Sequence, residues 1–191
     1  MSSRSLQRWE GEKAEALDEI ENAHASVGGT ERGRRYATQQ INLAYATLLS
    51  SQFQGFCRDL HSECVELVVG TTPVGLRTLL RAQFYWARAL DRGNPNPGNI
   101  GSDFGRFGIA FWTKVHADYR QNERRQELLQ ELNEWRNAIV HQDFDPAKLG
   151  DTTTLHLARV RIWRSALNRL ARSFDAVMGV HLQTILGAAP W

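Results

Sequence analysis

No stretch of this sequence stays apolar for the ~20 residues that a membrane-spanning helix needs, so no spanning helix is expected. The opening residues, MSSRSLQRWEGEK, lack the apolar core of a secretion signal, which makes the cytoplasm the expected location. Cysteine is scarce. Cys57 and Cys64 are the only two, seven residues apart within one helical stretch. Two turns of helix separate them by roughly 10 Å, too far for an unstrained disulfide, so buried free thiols are expected. No Cys-x-x-Cys and no neighbouring histidine pair supports a zinc site, and no carboxylate cluster has metal-ligand spacing. Strand-like alternation, internal repeats and low-complexity segments are missing as well.

Lysine is the other scarcity, with 3 lysines beside 20 arginines and a net charge of only +2. The planar guanidinium suits phosphate and stacking in ways that an ammonium does not. Arginine richness can equally reflect genome composition, so it permits a nucleic-acid partner without requiring one. Acidic residues gather early, at Glu10, Glu12, Glu15, Asp18, Glu19 and Glu21.

What is present is helical periodicity. The 191 residues suffice for one domain with a substantial core, and 1–191 is read as one all-α unit. A first helix over 4–27, a candidate appendage to the rest, carries Leu6, Trp9, Leu17 and Ile20, with Gly28-Gly29 as its stop. A second begins after Thr30 and runs to Gly70, long enough that a break near Gly33 is an expectation. Thr71-Thr72-Pro73 reads as cap and first turn of a third helix through Leu90. Two prolines make 91–99 a loop in which helix is untenable, and 102–116 reads as mostly helical. A fifth helix occupies 119–141 and ends at Asp143-Phe-Asp-Pro146. Asp151 and the threonines 152–154 then cap a last helix with the seam Val160, Trp163, Leu167, Leu170, Phe174 and Val177. His181 continues that seam as a core-edge histidine. The expected architecture is an up-and-down bundle of five or six helices.

One stretch of the fifth helix, ELNEWRNAIVH over 131–141, stands apart. On a helical wheel Leu128, Leu132, Trp135 and Ile139 form the buried stripe. Asn137 and His141 point away from it, with Gln130 and Glu134 beside them, and Arg136 lies to one side. A solvated face ending in a histidine at the negative end of the helix dipole explains this pattern as well as a site does. Arg136 and His141 are about 140° apart around the axis, so one helix aims them poorly at one phosphate, whereas two copies across a two-fold axis bring both pairs into one cleft. Arg-x4–6-His alone is weak, since roughly two matches are expected by chance in this composition. The sequence has one, placed at a helix end beside a polar residue.

LNEWRNAIVHQDF resembles the signature of HEPN domains, helical bundles whose Arg-polar-x-x-x-His motif marks metal-independent ribonucleases. YATLLSSQFQGFCRDLHSECVEL, earlier, is similar to the long helix of the RiboL-PSP-HEPN branch. In architecture the likeness covers residues 35–185; its sharp part is Arg136, Asn137 and His141. The resemblance implies a HEPN-like homodimer with a composite RNA-cleaving cleft and no metal or cofactor, in a toxin or anti-phage defence effector with an antitoxin as a possible partner. His141 would be the acid or base for attack by the ribose 2′-hydroxyl, as befits the side chain that titrates near neutrality. Arg136 would hold the phosphate and Asn137 would orient histidine or substrate. Some HEPN toxins carry a modifiable tyrosine two residues after the histidine. Asp143 stands there in this chain, so an antitoxin would have to act otherwise. Asp143 is expected either to pair with an arginine or to cap the turn. Arg124, Arg125 and Glu134 are candidate substrate-binding residues, although basic clusters are more often solvated faces. The alternative is a non-catalytic helical module that binds RNA or protein.

Overall fold

Residues 1–27 and 34–191 are described by a computed structural model, and every regular element among them is helical. The α-helices are α1 (Arg4–Arg8), α2 (Ala14–Val27), α3 (Arg34–Gly70), α4 (Val74–Tyr85), α5 (Ala89–Arg92), α6 (Pro97–Gly105), α7 (Phe111–Asp118), α8 (Asn122–His141) and α9 (Leu157–Leu186). A π-helical turn, Trp9–Lys13, joins α1 to α2, and a 3-10 turn, Pro146–Lys148, follows α8. The expected Gly28-Gly29 stop, the Thr30 cap and the break near Gly33 lie outside the described residues. No helix among the described residues is long and apolar enough to cross a membrane.

Four long helices make the frame, and their side-chain partners fix its direction. Glu21 meets Tyr45 while Lys13 meets Gln52 and Arg8 meets Asp59, so α2 with its π-turn runs antiparallel to α3. Asn42 bonds to Leu155 and Phe53 packs on Phe174, so α3 and α9 run parallel. Asn122 reaches Ser173 while Glu131 pairs with Arg159, so α8 returns antiparallel to α9. The up-and-down order is α2, α3, α8, α9, with α4 to α7 inserted between the second and third. The segments outnumber the expected five or six because this insertion is broken into short pieces.

Leu6, Trp9 and Leu17 are buried in the same core cluster as α3 and α9, so the N-terminal helix is built in and not appended. Trp9 packs edge-on against Phe53 at 5.5 Å and donates its Nε1 to Asn168. The α9 seam is buried at all six expected positions. Cys57 and Cys64 are free and buried, and burial pushes both thiols up. His181 sits half-buried with its Nε2 2.9 Å from the Phe107 carbonyl.

Four local expectations give way. The third helix stops at Tyr85, because Ala87 takes a left-handed φ of 53° and Arg106 gathers the carbonyls of Phe84, Trp86 and Ala87. Thr71 and Thr72 bond back to the Val68 carbonyl, closing α3 without capping α4. Helix does enter the Pro/Asn-rich segment, since Asn96 caps α6 by accepting from the Asn99 amide and Pro97 sits in its first turn, where a missing N–H costs nothing. Finally, α9 starts at Leu157 without a side-chain cap: Thr152 and Thr154 bond to each other, and Gln39 of α3 accepts from the Leu155 amide.

Candidate functional site

The segment that becomes α8 contains no glycine or proline and consists largely of strong helix formers. Its inner face buries Leu128, Leu129, Leu132, Trp135 and Ala138, with Trp135 packed on Trp163 of α9 at 6.3 Å. Its C-terminus is a Schellman turn: Gln142 is left-handed (φ 54°, ψ 33°), its amide bonds to the Ile139 carbonyl, and the Asp143 amide bonds to that of Ala138. His141 is therefore the last residue held by the helix, fixed in direction by a formed cap. Asp145, not Asp143, supplies the side-chain cap of the following turn, accepting from the Ala147 amide at 3.1 Å. The Asp143 carboxylate is left lining a groove.

Asn137 and His141 are exposed and Arg136 is half-buried, as the wheel predicts. The Arg136 Nη1 donates to the Asn137 Oδ1 at 3.3 Å, and the same oxygen accepts from the Asn94 Nδ2 at 3.0 Å. Asn94 is itself clamped: its Oδ1 accepts from Asn96 at 2.9 Å and its carbonyl from Asn99 at 2.8 Å. Buried Asn133, one turn earlier on α8, donates to the Pro95 carbonyl, and Gln54 of α3 donates to those of Leu90 and Gly93. The loop before α6 thus braces the site through Asn94, a residue whose sequence context signals only a helix breaker.

His141 has no hydrogen bond or ion pair among the described residues, so its ring nitrogens are available. It lines a groove of ≈ 510 Å³ with Glu134, Asn137 and Asp143 of the helix end, and with Lys148 and buried Leu149 from the turn beyond. Neither Lys148 nor Leu149 was distinguishable in the sequence, because only the Schellman turn folds them back. Arg136 is not part of this lining. Two carboxylates against one lysine give the groove little net attraction for an anion within one chain. Glu134 accepts from Gln130 at 3.0 Å.

Arg124 and Arg125 are not brought to His141. They lie near the opposite end of α8, ~25 Å away along its axis, in a groove of ≈ 740 Å³ shared with α9. His116 is also accounted for, with its Nε2 2.6 Å from the Gln126 Oε1. Among the described residues, no three His, Cys, Asp or Glu side chains gather as a metal site needs.

Searches of known protein families, of curated proteins and of solved structures return no match.

Proposed function

We propose that this protein is an endoribonuclease of HEPN type that needs no metal ion and acts as a homodimer, in the role of a toxin or defence effector. The observation that carries the reading is the end of α8. There an exposed, unpartnered imidazole is held at a formed helix cap, one turn from an asparagine that accepts from Arg136. In the proposed reaction His141 removes the proton of a ribose 2′-hydroxyl as that oxygen bonds to the adjacent phosphorus. The bond from phosphorus to the 5′-oxygen breaks, and the leaving oxygen takes a proton from water. A cyclic 2′,3′-phosphate and a free 5′-hydroxyl result. Arg136 binds the phosphate oxygens and offsets the charge that grows on them. Asn137, gripped by Asn94, sets the direction of the Arg136 guanidinium.

What one chain lacks supports the dimer. The groove at His141 contains two carboxylates, and Arg136 lies outside its lining. A second α8 packed across a two-fold axis supplies the missing arginine.

The test is RNA cleavage by the purified protein in EDTA. The wild type is expected to cut, and Arg136→Ala and His141→Ala are each expected to slow cutting by about a hundredfold or more, with helical circular dichroism unchanged. A wild-type protein that binds RNA or a protein partner but never cuts would instead make this a non-catalytic helical module. An antitoxin, where one is encoded, has no tyrosine at Asp143 to modify and would have to act by covering the cleft.

A further inference from the structure

The groove at the other end of α8 combines features that the cleavage site does not use. Arginines from two helices face each other across it: Arg124 and Arg125 from α8, Arg169 and Arg172 from α9. The arginines of α9 are otherwise matched with acids. Arg159 pairs with Glu131, Arg161 with Glu21, Arg164 with Asp18 and Arg172 with Glu10. Arg169 alone in that helix has no ion-pair or hydrogen-bond partner among the described residues. Among the described residues Arg125 has only uncharged partners: its Nη1 donates to Asn122 at 2.8 Å, its Nη2 donates to Gln121 at 3.2 Å, and its guanidinium lies over the Tyr119 ring at 4.6 Å. Asn122 is in turn buried and anchored to the Val115 carbonyl and the Ser173 hydroxyl. A guanidinium is therefore pre-placed on a rigid base, with an uncompensated second one nearby.

We propose that the groove between α8 and α9 is a second nucleic-acid site, which takes the phosphodiester backbone of single-stranded RNA running away from the cleft at His141. The choice of RNA as ligand rests on the ribonuclease reading; the anion-binding character of the groove does not. Burial lowers the Arg125 pKa and the charge of Arg169 lowers it further, while Tyr119 works the other way; a phosphate in the groove offsets both guanidinium charges. Arg124 and Arg172 sit in exposed pairs with Glu127 and Glu10. Solvent screens such pairs and leaves them weak, so a phosphate can take over either arginine at small cost. Asp118 is the one carboxylate in the lining, at the exposed end of α7. Tyr119, half-exposed beside Arg125, offers a base a surface to stack on. An acidic peptide would satisfy the arginines and leave that ring unused. The ~25 Å to His141 makes the groove a holding point for a longer strand and not part of the scissile site.

The test uses the full chain with Arg136→Ala and His141→Ala in place, so that neither cutting nor the cleft arginine contributes. Binding of a labelled, mixed-sequence single-stranded RNA of about 20 nucleotides is followed by fluorescence anisotropy from about 50 to 200 mM salt. Adding Arg169→Glu is expected to weaken binding about tenfold and to reduce the slope of log affinity against log salt by about one or more. Arg169→Lys should keep most of both. Because Arg169 is exposed and unpaired, neither variant threatens the fold. Equal affinity and equal slope with and without Arg169→Glu would overturn the groove, as would tight binding of a polyglutamate peptide in place of RNA. The two proposals fail separately: a wild type that never cuts RNA, alongside a clear Arg169 effect, removes the ribonuclease and keeps the groove.

Discussion

His61 shows how a single buried residue sets a condition on the whole fold. It is fully buried on α3 inside a ring of Phe84, Tyr85, Phe104 and Phe107, and neither of its ring nitrogens has a hydrogen-bond partner among the described residues. Burial, helped by the charges of Arg88 and Arg106, drops its pKa from 6.5 to about 3; the Asp103 backbone and Asp91 work the other way. The Asp103 backbone falls short of a bonding geometry. The folded protein therefore holds His61 neutral. Above pH 6.5 the unfolded chain is neutral there too, and the full stability is present. As pH falls below 6.5 the unfolded chain takes a proton that the fold refuses, and stability is lost at up to about 1.4 kcal/mol per pH unit until about pH 3. Urea unfolding measured between neutral pH and pH 4 on the wild type and on His61→Phe isolates this residue. The variant should lose markedly less stability on acidification, since phenylalanine suits an aromatic cage and has no proton to take. Parallel pH curves for the two proteins would show that His61 does not titrate in this way. Nothing in the sequence around Leu60-His61-Ser62 announces the cage, because its four rings come from α4, from α6 and from the turn after α6.

Among the elements, the α8 terminus, on which the proposed function rests, also carries a local strain. Gln142 is left-handed, a conformation that costs a side-chain-bearing residue about 1–2 kcal/mol, and it gains an exposed bond from its Nε2 to the Ile139 carbonyl. Glycine removes the strain but adds freedom to the unfolded chain, so Gln142→Gly should raise stability by about 0.5–1 kcal/mol. Gln142→Val should lower it by about the same amount or more, because a β-branched side chain is least tolerant of positive φ. Denaturant midpoints decide both, and cleavage by Gln142→Gly should match the wild type because the cap that aims His141 survives. Elements with a repeated apolar register were legible in advance: the α9 seam and the inner stripe of α8 are read from spacing alone. The breaks in the insertion were not. Its helices are ended and started by residues distant in sequence, as when Arg106 takes the carbonyls at the end of α4 and Asp103 accepts from the amides of Ala89 and Leu90. The same limit hid Asn94 and Lys148, which reach Asn137 and the His141 groove only after the chain folds back.

At the scale of the whole molecule, the sequence's uneven charge is partly absorbed within the frame and partly left over. The early acids of the N-terminal helix meet α9 through Glu10–Arg172, Asp18–Arg164 and Glu21–Arg161, which leaves Arg169, Arg125 and Arg136 as the arginines of α8 and α9 with no acid opposite among the described residues. Arg136 and His141 diverge around one helix, so the proposed cleft must draw its arginine from one protomer and its histidine from the other. That geometry makes a prediction no single-chain site shares. Arg136→Ala and His141→Ala proteins, each inactive alone, are unfolded together and refolded at equal concentrations. Random pairing makes about half of the dimers mixed, and each mixed dimer has one intact pairing of arginine with histidine, so cleavage should return to about one quarter of the wild-type rate. The recovered activity should fall with dilution as dimers separate. If both residues of a working pair came from the same chain, every dimer in the mixture would lack an intact site and cleavage would stay at the level of the separate variants. Arg136→Ala mixed with a double variant lacking both residues is the matching control, because no pairing in that mixture restores an arginine.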